Sequence, residues 1–191
     1  MREAGLASLA FFYCDFREDR KKDLRGLLSS LLVQLCHQSD SYCDLLFNFY
    51  ADHANGSHRP SDSALAGCFK NLLRLPGLAP VYLVIDALDE CPRASALLFP
   101  RDKVLNFIED LIKSQIPNLR ICVTSRPEAD IKDILDPLIF RSVSLHDESG
   151  QRENIEEYIK SEINTNPKYK KWRPADKQLA ISVLIEKADG M

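Results

Sequence analysis

Short apolar runs alternate along this chain with longer stretches of helical periodicity. Residues 9–14 (Leu-Ala-Phe-Phe-Tyr-Cys), 81–85 (Val-Tyr-Leu-Val-Ile) and 119–124 (Leu-Arg-Ile-Cys-Val-Thr) have the length and the β-branched or aromatic content of strands. After the first run, Leu24, Leu27, Leu28, Leu31, Leu32 and Leu35 recur along one face of a helix that Asp23 can cap. Leu45, Leu46, Phe49 and Tyr50 predict a second helix, and residues 53–60, with Asn, Gly, Ser and Pro, a loop. Leu65, Cys68, Phe69, Leu72 and Leu73 predict a third helix, opened by Ser61 or Asp62 and ended by Pro76-Gly77. A loop through Pro92 and Pro100 leads to a helix carrying Val104, Ile108, Leu111 and Ile112, and a short helix with Ile131, Ile134 and Leu135 follows the third run. Residues 139–145 alternate Ile, Arg, Val and Leu with Phe, Ser and Ser, which predicts a fourth, less buried strand. Polar residues 146–150 read as a hinge. Two helices follow, one with Ile155, Tyr158, Ile159 and Ile163, the other opened by Pro174 and carrying Ile181, Leu184, Ile185 and Ala188. Strand–helix alternation of this kind predicts a parallel three-layer α/β domain.

The run at 81–85 meets no polar break, the habit of a strand buried on both faces. Asp86, Asp89 and Glu90 sit where it leaves the sheet. Ligands of open α/β sheets bind at the carboxyl ends of the strands, and a carboxylate there can hold magnesium, directly or through water. An ordinary strand followed by an acidic loop would carry the same residues. The run at 119–124 leads into Thr124-Ser125-Arg126. The planar fork of Arg126 could bond two phosphate oxygens at once, or make a surface ion pair.

Taken together, the two segments resemble the extended Walker B motif and the sensor 1 strand of NACHT-type NTPases, a branch of the STAND class of P-loop switches. The likeness covers nearly the whole chain, which looks like the NTPase core also described as a nephrocystin-like N-terminal domain in fungal NLR-like proteins. The resemblance implies an α/β fold with a parallel sheet of the P-loop NTPase type, in ASCE strand order, lacking the phosphate-loop strand. Residues 1–146 would be a partial NTPase core, and residues 147–191 the start of a helical domain that moves when the nucleotide changes. Asp86 would hold magnesium through water, and Asp89 and Glu90 would orient or activate the attacking water. Arg126 would sense the terminal phosphate, with Thr124 and Ser125 also contacting the nucleotide. Magnesium and ATP or GTP are the cofactors of the complete family domain, and none is expected on this chain alone. Strands 9–14, 81–85 and 119–124 should be contiguous with the acidic one central. Residues 139–145 should either stand across an empty slot or close onto the sensor strand.

A phosphate loop ends in Gly-Lys-Ser/Thr. None of the seven glycines here is followed by lysine. By resemblance the loop lies upstream of Met1, and Lys187-Ala188-Asp189-Gly190-Met191 continues into another helix. Two functions stay open. One is a fragment of a nucleotide-dependent signalling switch, unable to bind or hydrolyse nucleotide alone. The other is a non-enzymatic scaffold or decoy that keeps the fold for protein partners, self-assembly included. A hydrolase of another kind is a weaker third reading, since there is no GxSxG and no histidine near the carboxylates in sequence.

Composition narrows the partners. Lys and Arg number 25 against 28 Asp and Glu, so no basic excess points to nucleic acid. No apolar run approaches the roughly 20 residues of a membrane span. Residues 4–14 mimic a leader after Arg2, but Glu3 and the bulky Phe-Phe-Tyr argue for a strand. The six cysteines form no CxxC pair; Cys14 and Cys122 read as small buried hydrophobes in a reduced, cytoplasmic protein. Cys36, His37, Cys43, His53 and His58 match no zinc spacing. Residues 168–173 interleave basic and aromatic side chains and read as a solvated loop with Trp172 folded inward, or more weakly as a phosphate contact.

Overall fold

The computed structural model describes residues 6–77, 79–93, 100–144 and 151–188. The chain divides into two compact units, Met1–Ile139 and Phe140–Met191. The first contains β1 (Ser8–Tyr13), α1 (Leu24–Cys36), α2 (Asp40–Asp52), α3 (Asp62–Leu73), β2 (Val81–Asp86), α4 (Pro100–Lys113), β3 (Leu119–Val123) and α5 (Ala129–Leu135). The second contains α6 (Gln151–Thr165) and α7 (Pro174–Ala188).

The sheet is parallel, in the order β1-β2-β3, with Ser8 beside Val81 and Val81 beside Leu119. The expected order therefore holds, with the acidic strand in the middle. One face of the sheet, through Ala10, Phe12, Leu83 and Ile85, joins Leu27, Leu28 and Leu31 of α1, Phe69 of α3 and Ile108 of α4 in one core. Fully burying each such side chain contributes about 1.5–3 kcal/mol. Asp23 caps α1 by accepting from the Gly26 amide at 2.8 Å, and Ser61 caps α3 by accepting from the Ala64 amide at 3.1 Å. Gly26 is also where the preceding loop crosses the helix: a Cβ there would lie 1.9 Å from the Arg20 carbonyl oxygen.

Several expectations need correction. Phe11, Tyr13, Tyr82, Arg120 and Cys122 are exposed, so β2 is buried on one face rather than both. The two-residue period of a strand sends Tyr82 and Val84 to the side away from the core. The described helices of the first unit thus cover one side of its sheet, giving that unit two layers where three were expected. Cys122 shares that uncovered side and is not a buried hydrophobe. Residues 139–144 are not a strand, and Ile139, Phe140 and Val143 are exposed. Alternation sets which way side chains would point, but a strand needs a ladder partner for its N–H and C=O groups. No described strand pairs with this segment. Position 145 and the expected hinge at 146–150 lie outside the described residues.

In the second unit α6 and α7 pack together, with Ile163 and Ile181 buried. Tyr158 and Leu184 are exposed, so the apolar stripes are narrower than their spacing implied. Trp172 is 44% exposed and is not folded inward. Its ring stands edge-on to Tyr169, centroids 5.0 Å apart.

The outer edge of β1 is closed by side chains. Gln38 accepts from the Leu9 amide at 2.9 Å and donates to the Leu9 carbonyl at 2.7 Å. Gln34 does the same for Phe11, at 3.0 and 2.7 Å. Two primary amides, Gln34 on α1 and Gln38 in the loop just after it, thus stand in for a neighbouring strand and block edge-to-edge pairing. The double change Gln34→Ala, Gln38→Ala should cost about 2 kcal/mol, given about 0.5–1.5 kcal/mol net per bond and partial exposure. Hydrogen exchange at the Leu9 and Phe11 amides should speed up. Unaltered exchange there would show that the glutamines do not protect the edge.

Candidate functional site

The site is built where β2 and β3 end. After Asp86 the backbone turns at Ala87, with φ 54° and ψ 48°. A left-handed non-glycine residue costs about 1–2 kcal/mol, and strain of this kind persists only where surroundings enforce it. Thr124 supplies much of the enforcement. Its Oγ1 accepts from the Ala87 amide at 3.0 Å, and its carbonyl accepts from the Leu88 amide at 3.0 Å. The same hydroxyl donates to Asp86 Oδ1 at 2.5 Å. Leu88 is fully buried and anchors the single 3₁₀ turn Leu88–Glu90 that carries the acids.

The second bridge joins Asp89 to the loop after β3. Asp89 Oδ1 accepts from the Arg126 amide at 3.0 Å, and Oδ2 pairs with Arg126 Nε at 3.5 Å. The Arg126 side chain is 82% exposed. Ser125 donates to the Arg126 carbonyl at 2.8 Å and is turned onto the backbone. Glu90 is half-buried in the same turn, and among the described residues no hydrogen bond or ion pair reaches its carboxylate. The structure therefore brings Asp86 to Thr124 and Asp89 to Arg126, and it leaves Glu90 in that turn uncommitted.

One residue that no sequence pattern singles out holds this end of the sheet together. Arg101, in the first turn of α4, is 4% exposed. Its Nε donates to the Cys91 carbonyl at 2.8 Å, and its fork also reaches the Asp89 carbonyl, Glu128 and Asp130. Arg93 pairs with the same two carboxylates from outside. The Arg93 and Arg101 guanidiniums, Arg93 first, hold the Asp130 carboxyl down to about 2. In sequence Arg101 is an ordinary charged residue at a helix start. The nearest clue was Glu128 and Asp130 directly after the Arg126-Pro127 pair.

Beneath the turn lie two buried thiols. Cys91 donates to the Lys22 carbonyl at 3.0 Å, and the Cys14 amide donates to the Asp86 carbonyl at 3.0 Å. The neighbouring Cys91 thiol, together with burial, pushes Cys14 far above the ordinary thiol range. Cys14 is therefore a packing group rather than a nucleophile, whereas the bond from Cys14, ahead of the Arg101 charge, lowers the buried Cys91 thiol.

Among the described residues no three His, Cys, Asp or Glu side chains are arranged to hold a metal. Asp86 and Thr124 offer oxygen donors, which suit a hard cation that keeps its water and takes further ligands from phosphate. In the histidine–cysteine group at 36–58, the His53 ring bonds the Phe49 carbonyl through Nδ1 at 2.8 Å. A concave surface on α6, lined by Glu153, Glu157 and Lys160 among others, belongs to the second unit.

These features define a parallel α/β domain with its polar groups gathered at the carboxyl end of the sheet. The family described as Nephrocystin 3, N-terminal, matches residues 1–126, and this chain belongs to that family. Over 86 residues it is 33% identical to the vegetative incompatibility protein HET-E-1 of Podospora anserina. That stretch covers 44% of this chain and 6% of the Podospora protein. No solved structure matches the chain. No described helix is long and apolar enough to cross a membrane.

Proposed function

We propose that this chain is the phosphate-reading part of a NACHT-type nucleotide switch in a cytoplasmic signalling protein. The observation that carries the reading is the pair of bridges at the end of the sheet. Asp86 is oriented by Thr124, and Asp89 ties the turn of β2 to the Arg126 loop. A terminal phosphate that attracts Arg126 would pull on Asp89 and so on the strained turn at Ala87. Asp89 is the mechanical link in this scheme, and Glu90 is the acid that orients the attacking water. Asp86, with Thr124 beside it, would hold magnesium through water. Bound there, the ion would neutralise phosphate charge.

The family match and the likeness to a fungal incompatibility protein support this reading. Nucleotide binding would also need a Gly-Lys-Ser/Thr loop, whose backbone N–H groups and lysine cradle phosphate. The chain alone should release no phosphate from ATP or GTP with magnesium. Supplied with a phosphate-loop segment upstream of Met1, it should bind nucleotide in a magnesium-dependent titration. A second reading is a scaffold that keeps the fold and binds protein partners without nucleotide. No nucleotide binding by the extended chain would select that scaffold.

A further inference from the structure

The loop between α1 and α2 brings together two thiols that the site does not use. Cys36 ends α1, and Cys43 lies in the first turns of α2. Their sulfurs are 2.6 Å apart, and Cys43 also donates to the Cys36 carbonyl at 3.0 Å. Cys43 is exposed and Cys36 half-buried, whereas Cys14, Cys68 and Cys91 are buried. Cys122 is exposed but has no sulfur beside it among the described residues. Solvent can therefore reach one member of a preformed thiol pair, and a second thiol stands ready behind it.

We propose that Cys36 and Cys43 are a reversible disulfide site, in which Cys43 reacts with hydrogen peroxide and Cys36 resolves the product. The Cys43 thiolate attacks one peroxide oxygen, the O–O bond breaks, and Cys43 becomes a sulfenic acid while hydroxide leaves. The Cys36 sulfur then attacks the Cys43 sulfur. The S–S bond forms, the S–O bond breaks, and the Cys36 proton leaves with the departing oxygen as water. Two thiols and one peroxide thus give one disulfide and two waters, and an external dithiol reverses the change. The order of events follows from access and acidity. Burial, then the bond to Cys43, pushes the Cys36 thiol up to about 11, so Cys36 is a poor first nucleophile.

The bond would have a structural consequence. It would span the loop that holds Gln38, the residue that closes the β1 edge at Leu9. Pinning α1 to α2 at this point removes freedom from that loop, so the oxidised form should guard the edge more firmly.

The full chain treated with stoichiometric hydrogen peroxide tests this. Two of the six thiols should be lost to alkylation. The peptides carrying Cys36 and Cys43 should appear joined, two hydrogens lighter, and separate again after dithiothreitol. Cys36→Ser should leave a sulfenic acid on Cys43 that dimedone traps. Cys43→Ser should leave Cys36 unoxidised. Exchange at the Leu9 amide should slow several-fold in the oxidised wild-type chain. The proposal is overturned if both cysteines stay alkylatable while Cys122 oxidises, or if the disulfides formed join two chains. Unchanged exchange at Leu9 would overturn the coupling to the sheet edge.

Discussion

Replacing Arg101 with alanine should destabilise the first unit by about 3 kcal/mol. Removing one partner of a buried ion pair typically costs about 3–5 kcal/mol, because the charges left behind lose their compensation. The lower end applies because Glu128 and Asp130 keep 33% and 29% of their side-chain surface exposed. Two further groups are stranded, the carbonyls of Asp89 and Cys91. Arg101→Lys should recover only part of the loss, since one ammonium cannot reproduce a planar fork that serves two carbonyls and two carboxylates. The pH dependence gives an independent check. The folded-state pKa of Asp130, at about 2, lies below its ordinary 3.8. Its contribution is thus present above about pH 4 and is lost as pH falls toward 2. Urea titrations at pH 7 and pH 3 should show this acid-labile part shrink in Arg101→Ala. A loss below about 1 kcal/mol at pH 7 would mean that Arg101 is a bystander to the acidic turn.

What could be read in the sequence was whatever a local pattern dictates. The six leucines of α1 are all buried, and Asp23 caps that helix, because spacing and a cap residue act within a few positions. The central place of β2 and the gathering of Asp86, Asp89, Thr124 and Arg126 were legible for a similar reason, since each follows from a strand end. Three features depend on partners remote in sequence and were not legible. The apolar runs of β2 and β3 do not say which of their sides meets helices, so Tyr82 and Cys122 were misjudged. The alternation at 139–144 had no strand to pair with. The bonds of Gln34 and Gln38 to β1, and of Arg101 to four groups across two loops, depend on geometry that only the folded sheet supplies. Arg101 has the further disguise of its type, for arginine is almost never fully buried unless paired.

In a chain that carries a phosphate loop, Asp86→Ala should weaken magnesium-dependent nucleotide binding by about tenfold or more, and Glu90→Gln should leave it nearly unchanged. The first change removes the carboxylate that would hold the hydrated cation, and it also takes the acceptor away from Thr124 Oγ1. The second removes only the charge that would orient water. General-base or water-positioning groups contribute about 10²–10⁴-fold to rate, so hydrolysis by Glu90→Gln should fall in that range. Asp89→Asn separates the link from the chemistry. An amide can still accept from the Arg126 amide at Oδ1, but it loses the ion pair with Nε. That variant should bind nucleotide yet respond less sharply to the terminal phosphate, which comparison of di- and triphosphate affinities would read. Thr124→Val is the control for orientation. It keeps the Asp86 carboxylate but removes the hydroxyl that aims it and braces Ala87. It should therefore weaken binding less than Asp86→Ala and also lower stability. Equal loss of binding in Asp86→Ala and Glu90→Gln would show that the two acids act as one cation site. The division of roles between them would then be wrong.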